Sequence, residues 1–473
     1  SNRGYNAVWF YNSSNSSSYY AGQNFNLNRL ELVAPNIIAF SQRYLYDARE
    51  NVDPETGVTT VVYYYNYTEA SGEVGSLTNP ILLDNAENFE EYILNESGAD
   101  HYNFSYYRLI NNIDYSEYAG NSEIYRTRFM GYFEGNFLTI SNIHMVTSEN
   151  MMYAGLFAEV GSSTLSNANG TVMNFNLEPT EMVFTNTQVV GGIAGRVDSG
   201  VIANINILSN DDIMISANNI AGGIVGLAVG NYNIENVTSM VSARATYIPE
   251  SAYQNVFEES SNAYNLNSFA GAIVGVAGGR GVVNKAEVDS GVAVIGGTAG
   301  TLVGYVGQST NVSNLTLQID EDLIINAFYY GGLAIGESAG TVDAVEVIGT
   351  GIYATIFNNI PNDPVAVGGV VGLISGGNIN DVTGTQSLSL SSSTHTAGVS
   401  YLGGFAGAVS GSAVLSNINI EGSYIGFSTV GGILGAVTGE NVVLTMTDIN
   451  FTNGYLPVVS TQQSRATIGG VIG

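Results

Sequence analysis

The chain has 473 residues, enough for one long core or several domains. Only 11% of them are charged, and 12 basic against 41 acidic residues leave a net charge of −29, with Lys285 the single lysine. Such a field repels nucleic acid, anionic membranes and phosphate-rich ligands, and suits cations or cationic surfaces. There is no cysteine, hence no disulfide, thiolate metal site or thiol nucleophile. A hydrophobic share of 45% argues against a disordered acidic chain, and no apolar run is long enough to span a bilayer as a helix.

Residues 1–75 read as a small β-rich module. They hold the only tryptophan, Trp9, and tyrosine-rich runs such as Val61-Val-Tyr-Tyr-Tyr-Asn-Tyr67, with Asp53-Pro-Glu-Thr-Gly57 as a turn between two strands. Ser1-Asn-Arg-Gly4 has neither the basic start nor the apolar core of a signal peptide, so the expectation is a processed chain or an internal piece. Residues 76–130 carry the one predicted helix, Asn85-Ala-Glu-Asn-Phe-Glu-Glu-Tyr-Ile-Leu94, with Phe89, Ile93 and Leu94 on one side and acids at its start. It is placed to cap the open edge of the β-structure after it.

From residue 131 to 473 one glycine-rich phrase returns. It reads Gly191-Gly-Ile-Ala-Gly195, Gly222-Gly-Ile-Val-Gly226, Gly271-Ala-Ile-Val-Gly275, Gly300-Thr-Leu-Val-Gly304 and Gly331-Gly-Leu-Ala-Ile335. The later copies start at Gly368, Gly403, Gly431 and Gly469, and a looser first copy is Ala154-Gly-Leu-Phe-Ala158. Successive steps of 31, 49, 29, 31, 37, 35, 28 and 38 residues imply a unit near 30 with insertions. About 13 residues later comes a second phrase, as in Ala203-Asn-Ile-Asn-Ile207 and Ser416-Asn-Ile-Asn-Ile420. Its alternation turns Ile205 and Ile207 inward and Asn206 outward. The recurrent Asn or Asp at 142, 174, 204, 236, 284, 314, 343, 381, 417 and 448 is expected to stack at one corner, because both residues tolerate the left-handed backbone of a turn. The fold expected from the phrases is an all-β solenoid of about ten coils.

The two phrases, with Phe133-Glu-Gly-Asn-Phe-Leu-Thr-Ile140 before them, resemble the GLUG-motif repeats of bacterial surface and secreted proteins over roughly residues 76–473. The resemblance implies a right-handed parallel β-helix in a setting of adhesins, large surface proteins or chains that also carry a peptidase domain. That peptidase would need His-Glu-Xaa-Xaa-His, which His101, His144 and His395 do not supply, so no catalytic residue carries over.

Candidate chemistry is sparse. Polysaccharide hydrolysis would need paired carboxylates, for which Asp320-Glu-Asp322, Asp211-Asp212 and Asp198 offer the densest acidic text. Asp320 and Asp322 are also the Ca²⁺ candidates, with Asp343 and Asp381 possible contributors, and no other cofactor is expected. A uronate lyase would need clustered bases, whereas Arg196, Arg244, Arg280 and Lys285 are scattered. His144 occupies an outward slot otherwise filled by Asn176, Asn206, Thr238, Thr316, Thr383, Asn419 and Asn450, a column that reads as broken at Lys285-Ala-Glu287 and Val345. An insertion at about 241–268 brings Tyr247, Tyr253, Phe257 and Tyr264 to one loop, a candidate for binding, and a smaller one runs from Tyr353 to Pro364.

These features together read as a non-enzymatic extracellular protein at a prokaryotic cell surface, an adhesin or structural solenoid. Its partners would be a surface or matrix glycan or protein, or further copies stacked end to end, since Gly469-Gly-Val-Ile-Gly473 starts a coil without finishing it. A polysaccharide-acting β-helix enzyme and an ice- or crystalline-glycan-binding array are the alternatives.

Overall fold

The computed structural model describes residues 43–52, 59–67, 74–77, 79–94, 102–118, 128–147, 150–165, 170–209, 213–245, 268–288, 291–319, 323–357, 365–391, 400–426, 429–456 and 467–473. The chain divides into two compact units: residues 1–82 with 105–108, and residues 83–104 with 109–473. In the first, Arg43–Val52 and Thr59–Tyr67 pair antiparallel as a hairpin, while the Asp53–Gly57 turn lies outside the described residues.

The second unit is a parallel β-helix. One coil shows its four walls. Val189–Gly191 forms wall 1, Ala194–Asp198 wall 2, Val201–Ile207 wall 3 and Met214–Ala217 wall 4. Each pairs in parallel with the same wall of the next coil, as in Val189 with Ile220, Ala194 with Val225, Ile205 with Val237 and Ile215 with Ala243. Among the described residues wall 2 comprises eleven strands, from Tyr102–Asn103 to Leu434–Val437.

Alternation decides what is inside. Along wall 3 the inward column Ile205, Val237, Ala286, Leu315, Val345, Val382 and Ile418 is at most 1% exposed. Near the start, aromatic side chains do the same work, with Phe133 touching Phe157 and Phe175 at ring distances of 5.9 and 5.3 Å. Burial of one such ring contributes about 2 kcal/mol.

The predicted helix is shorter than its pattern. Only Ala86–Phe89 is α-helical, capped by Asn85, whose side chain accepts from the Asn88 N–H at 2.9 Å. The chain continues as a π-helical turn, Glu90–Leu94. Phe89, Ile93 and Leu94 are fully buried, and Phe89 meets Phe133 edge-on at 6.1 Å. Among the described residues no helix is long and apolar enough to cross a membrane.

The glycine phrase is the bend between walls 1 and 2. Its first and last glycines have no room for a side chain. A Cβ on Gly222 would lie 1.8 Å from the Val225 carbonyl oxygen, and one on Gly226 2.7 Å from both the Gly195 oxygen and a Val189 methyl. The second position varies from coil to coil: Ala272, Thr301 and Leu333 occupy it in some, whereas a Cβ on Gly404 would lie 2.2 Å from the Gly432 carbonyl oxygen. One copy is shifted by a residue from its sequence reading. Gly332, not Gly331, pairs with Gly300 and Gly368, so the phrase there is Gly332-Leu-Ala-Ile-Gly336.

Candidate functional site: a polar face and an aromatic seam

Wall 3 presents the polar face. Each strand turns a corner at a residue with left-handed φ, including Asn174 (62°), Asn204 (54°), Asn236 (54°), Asn314 (52°), Asp381 (56°) and Asn417 (51°). The expected ladder needs three corrections. Lys285 and Ala344 hold the corner in their coils, at φ 54° and 53°, while Asn284 and Asp343 stand one residue earlier, in register with Glu235 and Ser313. Asn142 is also left-handed, but in a separate column. Its strand, Tyr132–Thr147, pairs Glu134 with Met173 and Leu138 with Phe175, so Asn174 lies opposite the kink at Asn136 and Phe137.

The side-chain amides form short directed runs. Asn236 donates to Asn204 at 2.8 Å, Asn204 to Asn174 at 2.7 Å, and Asn174 to both oxygens of Glu134 at 3.0 Å. Asn314 donates to Asn284 at 2.7 Å and Asn284 to Glu235 at 3.3 Å. Asn380, Asn417 and Asn142 donate to Asp343, Asp381 and Asp114, each at 2.7 Å. Each of these corner runs ends on a carboxylate for a chemical reason: an amide both donates and accepts and can relay, whereas an ionised carboxylate only accepts. At one such end, the Asn142 amide and the Ser116 N–H hold the exposed Asp114 carboxyl below its usual range.

Two residues past the corner runs one outward column: Thr139, Asn176, Asn206, Thr238, Glu287, Thr316, Glu346, Thr383, Asn419 and Asn450. The expected breaks are absent. Val345 is buried and Glu346 takes the slot, because Ala344 carries the corner. Neighbours hydrogen-bond where both are amides, as from Asn206 to Asn176 at 2.9 Å and from Asn450 to Asn419 at 2.8 Å. His144 is not in this column. It pairs in register with Glu181, 3.5 Å from its carboxylate, on the exposed surface.

The other sequence candidates divide. Asp198 is 5% exposed and accepts from Arg196 at 3.3 Å and Ser163 at 3.0 Å, so it belongs to an ion-pair network with Glu159 and Arg128. Asp320, Asp322, Asp211, Asp212, His101, His395 and the loop residues Tyr247, Tyr253, Phe257 and Tyr264 lie outside the described residues. Of the smaller insertion, residues 353–357 continue a strand in register with 387–391, and 358–364 lie outside the described residues. Among the described residues no group of three or more His, Asp or Glu side chains is placed to hold a metal ion.

A second feature escaped sequence reading. Where walls 1 and 2 meet at the glycine bend, their side chains form a seam apart from the main core. Val189, Ile220 and Phe269 from wall 1 pack against Leu227, Val276 and Tyr305 from wall 2, with Phe269 and Tyr305 rings 5.7 Å apart. Farther along, Leu373 and Ala408 pack with Ala366, Tyr330 and Tyr401. At the opposite end Arg196 lies over the Tyr153 ring at 5.6 Å. The half-buried tyrosines and the partly exposed Arg196 mark the seam as outward-facing.

Between Leu227 and Ala436 on wall 2, the seam column holds one ionisable carboxyl, Glu337, in register between Tyr305 and Leu373. Burial pushes its pKa up, and a Ser375 hydrogen bond only partly offsets this. Tyr330 is pushed up as well, by burial first and then by the nearby Glu337 charge. The signal was columnar: it lies two residues before the first glycine of each phrase and one after its last, and becomes visible only when the copies are aligned. Comparison with protein-family models, curated proteins and solved structures finds no match for this chain.

Proposed function

We propose that this chain is a non-enzymatic attachment or structural element of a prokaryotic cell surface, working as a stiff extracellular solenoid. The observation that carries the reading is the polar column of wall 3. Ten outward Thr, Asn and Glu side chains stand in one register on ten consecutive rungs. At the spacing of paired strands, about 4.8 Å, they form a row on the order of 45 Å long. A periodic row of donors and acceptors on a rigid support can meet many weak sites of a polymer or surface at once, which raises avidity without a deep pocket. The resemblance to GLUG-type repeats supports the same setting.

The test is retention on insoluble glycans. Purified protein is incubated with chitin, cellulose and peptidoglycan, and compared with a variant carrying Thr238→Arg and Thr316→Arg. Retention of the native chain and its loss in the variant are expected. Equal retention of both would remove the column from the account, and shortening of the glycan by the native chain would replace attachment with catalysis. The Thr–Asn column also favours a second reading, binding to an ordered crystalline face, which predicts retention on crystalline cellulose but not on its amorphous form.

A further inference from the structure

The strand Leu444–Tyr455 of wall 3 leaves the common register at one point. Thr452 pairs with Glu421 and Tyr455 with Ser423, so Asn453 and Gly454 together stand opposite Gly422 alone. Two residues against one make a β-bulge, which takes a residue out of the ladder and bends its strand. Asn453 holds a left-handed backbone, at φ 50°, and both bulge residues are exposed. Packing requires the glycine, because a Cβ on Gly454 would run into the Phe451 ring.

Among the described residues ten asparagines hold φ between 50° and 62°. Nine of them precede a residue that carries a side chain, such as the buried Phe175, Ile205, Val237, Leu315 and Ile418 at the corners. Asn453 alone precedes a glycine. The difference matters chemically. An asparagine side chain can close a succinimide ring on the amide nitrogen of the next residue, and a side chain on that residue obstructs the approach, whereas glycine has none. The Gly454 nitrogen gives its proton to a solvent base and bonds to Asn453 Cγ. The bond from Cγ to Nδ2 breaks, and Nδ2 takes a proton from water and leaves as ammonia. One water molecule then opens the ring at either carbonyl, giving aspartate or isoaspartate.

Glu421 bears on both halves of this chemistry. Its carboxylate accepts from Asn453 Nδ2 at 2.8 Å, a charge-assisted hydrogen bond that has to be released before the side chain can turn onto the Gly454 nitrogen. After the reaction the donor is gone, and two carboxylates face each other where that bond stood. Isoaspartate also lengthens the strand backbone by a methylene, which upsets the side-chain alternation beyond it.

We propose that Asn453 is a self-modification site, converting without an enzyme to aspartate and isoaspartate, with Glu421 as the positioning residue that slows the step and then opposes its product.

The test ages the full chain at neutral pH and warm temperature for several weeks and reads each asparagine by peptide mapping, with isoaspartate distinguished from aspartate by mass spectrometry. Conversion at Asn453 and none at Asn204, Asn236 or Asn417 is expected, a comparison that needs no variant to fold. The rate should rise from mildly acidic to mildly alkaline buffer, because the attacking nitrogen must lose its proton. Glu421→Ala should convert about tenfold faster, as loss of one charge-assisted hydrogen bond implies. Conversion of the native chain should lower hydrogen-exchange protection over Leu444–Tyr455, and conversion of Glu421→Ala should lower it less. The proposal is overturned if Asn453 remains an amide, if it converts no faster than Asn204, if Glu421→Ala leaves the rate unchanged, or if the converted strand keeps its full protection.

Discussion

An interior coil and the last coil carry the same pattern in different surroundings. In the turn of the solenoid from Ala413 to Leu434, Leu415, Ile418 and Val430 are fully buried, as is Ile433 at the bend. Their register partners one coil on are Met446, Ile449 and Ile468, and Val471 is the hydrogen-bonded counterpart of Ile433. Met446 and Ile449 are only half-buried, and Ile468 and Val471 are 55% and 50% exposed. Nothing in the sequence of the last coil is less apolar. The difference teaches that a column residue draws its burial from the rungs on both sides, so that stability here is a sum over neighbouring rungs.

The sharpest way to break that comparison is at the glycine bend. A Cβ on Gly404 would lie 2.2 Å from the Gly432 carbonyl oxygen and 2.9 Å from the Tyr424 ring, whereas one on Gly470 meets nothing within 4 Å. Gly404→Val should therefore cost about 3 kcal/mol and Gly470→Val almost nothing, as read from denaturant midpoints. Of similar size, Ile418→Ala should cost about 3 kcal/mol and Ile449→Ala about half that. If the two isoleucines cost the same, burial from both sides is not what stabilises a rung.

The corner can be split into its parts. Asn204 donates to Asn174 and accepts from Asn236 while holding φ at 54°. Asn204→Ala loses both bonds and strains the backbone, for about 2 kcal/mol. Asn204→Gly restores the backbone freedom and should cost about 1 kcal/mol. Equal costs would mean that the amide run, not the turn, is what matters.

The smallest effect is the pH dependence of Glu337. Its folded-state pKa lies above the unfolded value, so the folded chain holds that proton longer, and stability falls as pH rises from the ordinary carboxylate range through the raised value. Glu337→Gln should then be more stable than the native chain at neutral pH, by about 1 kcal/mol, with the gain vanishing at pH 4. A constant difference across that range would contradict the assignment.

Much of the fold was legible because it is periodic. The alternation in Asn-Ile-Asn-Ile gave the inward column directly, and the glycine phrase gave the coil length. What failed was single-residue phase. Two glycines at 331 and 332 allow two registers, and only pairing with Gly300 and Gly368 selects the second. Asn284 and Asp343 have the right chemistry for a corner, yet Lys285 and Ala344 turn it, which no propensity suggests. The seam was invisible for another reason. Its two columns are each ordinary β alternation, and only the bend brings them together.

Hydrogen exchange resolved by rung tests the central claim, that neighbouring coils hold one another in a single continuous register. Wall 2 amides from Ala194–Asp198 through Ala406–Val409 should be protected as one block, with Leu434–Val437 exchanging first. Protection that instead broke at the rungs of Lys285 and Ala344, where the corner lacks its amide, would contradict it and make the side-chain ladder, not the stacked backbone, what keeps the solenoid stiff.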